Sequence, residues 1–267
     1  MKKTNLSLLA LLGVISLTGC SNKFYTLDQI KESGKLIVTT NAEFAPFEYK
    51  EGNELKGIDI DIIKAYGEYI NVEVVIQDVD FDSALLSVSN CKSDLAIAAI
   101  TTNPVRDETM DFSVSYYEAN QVVIVKEGSE YINLSNAEDI LSALSNNSAK
   151  IGCQRGTTGQ YYIEGDADWE FDGISNAKCM TYDSGALAVT ALANGQIDAV
   201  IIDEAPASMY CKTISGVTYL DVVLTEEEYA IAVAEGNETL VNSLNEFISK
   251  IKEDGTFDSI VSKYYAE

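Results

Sequence analysis

The sequence predicts an α/β fold made of two lobes, each a mostly parallel sheet flanked by helices. Strand and helix patterns alternate through the first hundred residues, which is typical of parallel sheets with helices on their faces. The alternation stops at an extended segment, 121–125, and starts again at residue 150. With 267 residues and 46% hydrophobic content, the chain is long and apolar enough to form two cores.

The first block of elements follows local signals in order. A capped helix ends on Gly34, and the helix that opens at Gly57 carries acids at its N-terminus, where the helix dipole favours them. Continuous β-branched runs predict buried parallel strands. We therefore predict a helix at 25–34, a strand at 35–40, a loop at 41–46, a helix at 57–69, a strand at 72–76, a helix at 81–88, a strand at 94–100 and a short helix at 105–110.

The second block repeats this plan after the crossover at 121–125. Apolar runs alternate again with segments of helical spacing, and a glycine at 255 separates the last two helices. We predict a strand at 150–153, a helix at 156–163, a strand at 177–182, a helix at 184–193, a strand at 198–202, a helix at 204–210, a strand from 229, a helix at 238–253 and a final helix to 265.

Charge and the missing histidines exclude several functions. The 42 acidic and 18 basic residues give a net charge of −24, which repels nucleic-acid phosphates and anionic lipid head groups. The chain has no histidine, so Ser-His-Asp and Cys-His sites are impossible and the commonest metal ligand is missing. We expect no catalytic residue, no metal, no cofactor and no nucleic-acid partner.

The first twenty residues have the pattern of a signal peptide. Lys2 and Lys3 precede an apolar stretch, 6–17, that is too short to span a bilayer. Leu17-Thr18-Gly19-Cys20 resembles the bacterial lipoprotein signal, in which the cysteine is lipidated and becomes the new N-terminus. A plain secretory signal and an uncleaved anchor are the alternatives. We expect an extracytoplasmic protein, at the cell surface or in the periplasm, held to the membrane by lipid on Cys20.

Four further cysteines, Cys91, Cys153, Cys179 and Cys211, would then lie in a compartment that permits disulfides. Their spacing matches no zinc site, and small buried thiols explain most of them. A disulfide among Cys153, Cys179 and Cys211, the three cysteines of the second lobe, is the alternative.

The chain has only two arginines, Arg106 and Arg155. Arg106 follows a buried apolar run, 95–99, and the threonine Thr101. Because a guanidinium grips a carboxylate with two parallel hydrogen bonds, we interpret Arg106 as the anchor of a small carboxylate ligand. The alternative is a surface arginine that caps a helix or pairs with Asp107 or Glu108.

Ligands of open α/β sheets bind beyond the carboxyl ends of the strands. Candidate binding residues follow such ends: Asn41 and Phe44, then Thr101 and Arg106, then the segment 154–159, then Asp203. Each has a plainer structural explanation. Phe44 and Phe81 are ordinary core residues, Gly156–Gly159 merely starts a helix, or Asp203 caps the next helix.

Short motifs then occur in a fixed order along the chain. They are 40–48, 57–61, 94–106, 111–113, 116–117, 156–159, 194–199, 203–206, 229–233 and 254–257. This ordered set resembles the polar amino-acid family of solute-binding proteins that serve ABC importers, over residues 27–265. The resemblance implies a periplasmic-binding-protein-like fold whose lobes are joined by two hinge strands. It implies a tether at 21–26, a first lobe at 27–119 and 226–267, and a second lobe at 120–225.

The resemblance also assigns roles to individual positions. Arg106 would hold the ligand α-carboxylate with backbone donors of Thr101 and Thr158, and Asp203 would take the α-ammonium with the carbonyl of Ala99. Phe44 and Phe81 would sandwich the ligand, while Asn41 and Gln154 would face its side chain. The chain departs from the family pattern at three places. Ile58 replaces a frequent phenylalanine, Ala98-Ala99 replaces serine or glycine, and Asn41 replaces a frequent aspartate, which favours ligands other than lysine, arginine and histidine.

The implied function is binding of an amino acid and its delivery to an ABC transporter permease, by a monomer that is not an enzyme. Two alternatives remain. The same fold hosts dehydratase-like and lytic enzymes, for which Glu43 or Glu204 would supply the acid or base. A ligand-sensing subunit is less expected, since no spanning helix or signalling module follows the last predicted helix.

Overall fold

The computed structural model describes residues 24–265. The predicted signal peptide, Cys20 and the start of the tether lie outside the described residues. Within the described range the helices are α1 (Leu27–Ser33), α2 (Ile58–Ile70), α3 (Phe81–Ser89), α4 (Pro104–Asp107), α5 (Ala137–Asn146), α6 (Thr158–Glu164), α7 (Gly185–Ala193), α8 (Glu204–Thr213), α9 (Glu238–Glu253) and α10 (Thr256–Tyr265). The strands are β1 (Lys35–Thr40), β2 (Glu43–Phe44), β3 (Glu48–Glu51), β4 (Glu54–Lys56), β5 (Glu73–Asp78), β6 (Leu95–Ala96), β7 (Met110–Phe112), β8 (Tyr117–Lys126), β9 (Lys150–Gln154), β10 (Lys178–Tyr182), β11 (Ala199–Asp203), β12 (Val217–Tyr229) and β13 (Ala232–Ala234).

The predicted two-lobed α/β fold is confirmed, with mixed sheets. The first lobe is built on a sheet of order β5-β1-β6-β13-β7, in which β1 runs parallel to both neighbours and β13 antiparallel to both of its own. The second lobe is built on a sheet of order β10-β9-β11-β8-β12. There β9 runs parallel to β10 and β11, while β8 is antiparallel to β11 and β12. In each sheet one strand, β13 in the first and β8 in the second, runs opposite to the other four, so half of the pairings are parallel.

Two long strands, β8 and β12, connect the lobes. They pair antiparallel along most of their length, with a register shift between Leu220 and Thr225. The pairs on one side of that shift, from Tyr117–Tyr229 to Gln121–Thr225, lie nearest the first lobe. Thr101 of the first lobe forms an isolated bridge with Tyr229. The connection is thus a paired two-strand ribbon that enters the first lobe beside the loop after β6.

Local signals explain most of the predicted helices. Thr26 caps α1 in a reciprocal capping box with Gln29, and Gly34 ends it in the left-handed conformation, as its sequence indicates. The helix α9 matches its predicted limits, and its buried residues Leu244, Ile248 and Ile251 recur at helical spacing. These elements were predictable because each signal lies within a few residues of the element it shapes.

Two predicted elements are shorter than expected. The strand predicted at 94–100 is only β6, because the chain leaves the sheet before Ala99, whose φ is +47°. The helix predicted at 105–110 is the single turn α4, after which β7 begins at Met110. As a result, the loop that carries Thr101 and Arg106 lies outside the regular hydrogen-bonded pairing of the sheet.

Several elements have no counterpart in the sequence prediction. They are the meander β2–β4, the helix α5 and most of β12. The meander joins α2 through Gly57, whose φ is +128° and where a Cβ would lie 2.0 Å from the Phe47 carbonyl oxygen. Only glycine permits this close backbone approach.

None of the four described cysteines forms a disulfide. The sulfurs of Cys153 and Cys179 lie 3.4 Å apart on the neighbouring strands β9 and β10. In the strand register, however, Cys153 pairs with Thr181 and Cys179 with Ile151, so the two cysteines are offset by two positions. The bridge left open for the second lobe is not formed, and Cys153 is a buried thiol. Among residues 24–265, no helix combines the length and the apolar character that crossing a membrane requires.

Candidate functional site

A small cavity lies between the lobes and brings most of the predicted binding residues together. Its free space is about 20 Å³, which is room for about one water molecule. Eight of the nine predicted residues line it, and Asn41 lies directly behind them. The lining residues are Phe44, Phe81, Ala98, Ala99, Thr101, Arg106, Gln154, Thr157, Thr158 and Asp203.

Arg106 is a buried residue of this cavity and not a surface residue. The side chain of Asn103 accepts a hydrogen bond from the backbone N–H of Arg106, and Pro104 opens the turn, which fixes α4 after the loop. The Arg106 side chain is 7% exposed and donates to the carbonyl oxygens of Thr101 and Gly156. Burial lowers the pKa of Arg106 to about 10, so the guanidinium stays charged at neutral pH. Its hydrogen bonds to neutral carbonyls leave that charge free to attract an anion.

Asp203 lies at the end of β11, on the second lobe, and is 6% exposed. It occupies the N-cap position of α8, yet its side chain makes no capping hydrogen bond. Instead, the carboxylate accepts a hydrogen bond from the hydroxyl of Tyr229 at 2.6 Å. Burial, together with the charge of Glu227, raises the pKa of Asp203 to about 7. A ligand ammonium would favour the ionised form of this carboxylate.

Glu227 is a buried acid of the site that the sequence analysis missed. Its carboxylate accepts hydrogen bonds from the hydroxyls of Thr101 (2.6 Å), Thr158 (2.9 Å) and Thr225 (2.6 Å). It therefore joins the first lobe, the second lobe and the hinge strand β12. Because side chains alternate between the two faces of a strand, the middle residue of the run 226–228 is buried. This burial can be predicted only after the strand β12 itself has been recognised.

Two amides form the side of the cavity next to Phe44. Gln154 Nε2 donates to Asn41 Oδ1 at 2.8 Å, and Asn41 Nδ2 donates to the carbonyl oxygen of Val79 at 3.0 Å. In the described part of the chain, the other oxygen, Gln154 Oε1, is buried without a hydrogen-bond partner. A buried acceptor of this kind favours a ligand that brings an N–H donor.

The backbone of Ala99 is held by a buried polar network below the cavity. The N–H of Ala99 donates to Asp59 Oδ2 at 2.8 Å, and the hydroxyl of Tyr116 donates to both carboxylate oxygens at 2.9 Å. Burial and the neighbouring Asp59 raise the pKa of Glu48 well above its ordinary value, so Glu48 is the proton donor of this pair. The network supports the left-handed conformation of Ala99, which the predicted strand at 94–100 did not anticipate.

Direct hydrogen bonds link the two lobes around the cavity. They run from Gln154 Nε2 to Asn41 Oδ1 (2.8 Å), from Arg106 Nη2 to Gly156 O (3.1 Å), from Thr158 Oγ1 to Thr101 Oγ1 (3.3 Å) and from Tyr210 OH to Glu43 O (2.9 Å). Gly156 permits the approach, since a Cβ there would lie 1.9 Å from Asp82 Oδ1. The lobes are therefore closed on each other in this structure.

The two acids of the enzyme alternative lie away from this cavity. Glu43 is exposed on β2, and Glu204 lines a separate cavity of about 230 Å³ beside Tyr117 and Tyr265. Among the described residues, no group of three or more His, Cys, Asp or Glu side chains is arranged to hold a metal ion.

Comparison with known proteins agrees with this architecture. Residues 36–267 match the profile of the bacterial extracellular solute-binding proteins, family 3. The chain belongs to this family. As a family 3 solute-binding protein it is 31% identical, over 86% of its length and 82% of the relative's, to a probable histidine-binding protein of Neisseria gonorrhoeae.

Solved structures also resemble this solute-binding protein. An amino acid ABC transporter substrate-binding protein from Streptococcus pneumoniae, bound to L-arginine, has a TM-score of 0.79 at 28% identity, covering 90% of this chain and 98% of its own. An ancestral amino-acid-binding protein that is a precursor of cyclohexadienyl dehydratase has a TM-score of 0.78 at 28% identity, covering 89% and 98%. These relatives are named as amino-acid-binding proteins, and the Streptococcus pneumoniae protein is named as the substrate-binding protein of an ABC transporter.

Proposed function

We propose that this protein binds one free amino acid between its lobes, outside the cytoplasmic membrane, and delivers it to the permease of an ABC importer. One observation carries the proposal. A buried guanidinium from the first lobe, Arg106, and a buried carboxylate from the second, Asp203, line the same small cavity. An α-amino acid carries the two opposite charges that such a pair selects.

Binding then works by lobe closure about β8 and β12. The α-carboxylate pairs with Arg106 and with backbone donors of Thr101 and Thr158, while the α-ammonium pairs with Asp203 and the carbonyl of Ala99. An uncompensated buried charge costs several kcal/mol, so the zwitterion stabilises the closed form by giving each charge a partner. The permease would recognise this closed form.

The amide pair Asn41–Gln154 supports a ligand with an uncharged polar side chain. Phe44 and Phe81 supply apolar walls, and the two amides supply hydrogen-bond donors and acceptors without a charge. On this side, Asp78 accepts a hydrogen bond from the N–H of Ala42 and pairs with Lys50. Relatives of this protein are named for histidine and arginine, whereas the amide pair Asn41–Gln154 carries no charge.

The N-terminal sequence supports a lipid anchor on Cys20. We infer that the mature protein begins at this cysteine and stays on the membrane through acyl chains, with 21–26 as the tether. A Cys20→Ser variant expressed in a lipoprotein-processing bacterium is expected in the soluble fraction, whereas the natural sequence partitions with membranes. Equal partitioning of both would contradict the anchor.

A ligand screen tests the binding function. The mature chain is heated with each of the twenty amino acids and with L-cystine, and a bound ligand raises the unfolding temperature because it stabilises only the folded form. We expect a small set of amino acids, led by uncharged polar ones, to give a clear rise. The best ligand is then recovered from the protein and weighed by mass spectrometry. No rise with any amino acid would overturn the proposal, and a chemically changed ligand would favour the enzyme alternative.

A further inference from the structure

We propose that Trp169 is a positioning residue of the binding site. This inference rests on the proposed function, in which Arg106 holds the ligand carboxylate. Trp169 is carried by the loop 165–173 of the second lobe, and its indole packs on the guanidinium of Arg106 from the first lobe. We infer that the indole fixes the guanidinium in its binding orientation and keeps water from it once the lobes close.

The guanidinium of Arg106 lies over two aromatic rings, one from each lobe. Arg106 Cζ lies 5.1 Å from the centroid of the Trp169 ring and 5.4 Å from that of Phe81. Phe81 belongs to the same lobe as Arg106, so it contacts the guanidinium in any lobe arrangement. Trp169 reaches it only from the opposite lobe. The contact of the guanidinium with the indole therefore depends on closure of the lobes.

The indole also borders a larger cavity. That cavity, of about 820 Å³, is lined by Trp169 and Phe171 and by acids that include Glu118 and Glu226, and it adjoins the small cavity through Thr101. Arg106 lines the small cavity and not the large one. Trp169 is only 9% exposed despite its position on a loop. A cation–π contact is stronger when water is excluded, as it is here.

The loop 165–173 is shaped to hold the indole in place. Asp166 and Phe171 exchange two backbone hydrogen bonds of 2.9 Å. The carboxylate of Asp166 accepts the backbone N–H groups of Asp168 (2.9 Å) and Trp169 (3.2 Å). The indole also stacks on Tyr161 of α6, with ring centroids 4.7 Å apart.

The loop is closed at its base by two glycines. Gly165 and Gly173 both have φ near +80°, and a Cβ on either would lie about 3 Å from backbone atoms of the other strand of the loop. The close approach of these two glycines holds the two ends of the loop together next to α6. The loop thereby places the indole of Trp169 against Arg106 of the opposite lobe.

The test compares two substitutions of Trp169. Trp169→Phe keeps an aromatic face, whereas Trp169→Leu keeps apolar bulk without one. The probe is the amino acid that binds best in the screen described above, measured by calorimetry and by stopped-flow dissociation. We expect Trp169→Leu to bind about tenfold more weakly, chiefly through faster dissociation, and Trp169→Phe to stay within about threefold of the natural protein.

A second measurement needs no substitution at this position. Trp169 is the only tryptophan of the chain, so fluorescence reports on it alone. We expect the probe to reduce quenching of Trp169 by acrylamide, with the midpoint at the calorimetric Kd. Unchanged quenching, or equal affinity of the Leu variant and the natural protein, overturns the inference. If Arg106→Ala binds the probe normally, the proposed function fails instead.

Discussion

At the scale of single residues, the two arginines show how position decides what a side chain does. Arg106 is buried between the lobes and donates to two carbonyl oxygens. Arg155, close by in sequence to the cavity residue Gln154, has a side chain that is 57% exposed and pairs with Asp183 at 3.3 Å. An exposed ion pair of that kind contributes little to stability or binding. The chain therefore contains its own control for the role of Arg106.

The pKa of Asp203 predicts a pH dependence of binding. In the closed, ligand-free form the group is surrounded by Glu227, Tyr229 and Arg106, and its pKa is about 7. The ligand ammonium needs the ionised carboxylate, so affinity is lost as pH falls through that value. With one proton to displace, we expect binding to be about tenfold weaker at pH 6 than at pH 8. Calorimetry at both pH values measures this directly.

The stability of the closed, ligand-free form depends on pH in the opposite direction. A carboxyl whose folded pKa is raised binds its proton more tightly in the folded form, so Asp203 disfavours the closed free protein as pH rises from about 4 to 7. An Asp203→Asn variant removes the group. It should bind weakly with an affinity that no longer changes between pH 6 and pH 8. A persistent tenfold change in that variant would assign the pH dependence to another residue.

Also at this scale, sequence reasoning located eight residues of one cavity but missed Trp169 and Glu227. Most of them follow predicted strand ends, where the topology of α/β sheets places ligands, whereas Ala99 and Phe81 were assigned by the family resemblance. Trp169 lies on a loop whose path depends on long-range contacts. Glu227 lies within three consecutive glutamates, a pattern that is usually a solvated surface. Neither has a local signal that distinguishes it.

At the scale of elements, predictions succeeded where short-range patterns decide the structure. The capped helix α1, the strand β1 and the amphipathic helix α9 have the limits that their sequences indicate, within two residues. The strand after residue 94 was overestimated because its apolar run continues past the sheet. Those apolar residues are buried by tertiary packing, and burial alone does not distinguish a strand from an irregular segment.

The support of the Ala99 loop shows a second limit at this scale. Asp59 was interpreted as a favourable charge at the start of α2, yet its carboxylate accepts hydrogen bonds from Ala99 and Tyr116. Glu48, from the unpredicted meander, completes the network in its protonated form. A sequence gives no sign that two acids eleven positions apart share a proton, because only the packed meander brings them together.

At the scale of the whole molecule, the binding site exists only because two separately folded sheets face each other. Each lobe alone presents half of it: the guanidinium on one side, and the carboxylate that would hold the ammonium on the other. Their meeting depends on the β8–β12 ribbon, whose register shift and pairing no local pattern encodes. The order of motifs was enough to predict the two lobes, since the α/β plan repeats along the chain.

The large negative charge of the molecule is compatible with an anionic group in this site. The net charge of −24 acts over the whole surface and is screened by salt beyond about 8–10 Å. The carboxylate of a zwitterion is instead held at contact distance in a site from which water is excluded, where nearby groups dominate. The ammonium of the same ligand is attracted by the surrounding acids.

The most direct test of the two-lobed clamp is a calorimetric titration of two arginine variants with the best amino-acid ligand. Arg106→Ala removes the buried guanidinium, and Arg155→Ala removes the exposed one of the same type. Since losing one partner of a buried charge pair costs about 3–5 kcal/mol, Arg106→Ala should weaken binding at least a hundredfold. Arg155→Ala should stay within about threefold of the natural protein. Equal affinity of the two variants would contradict the account.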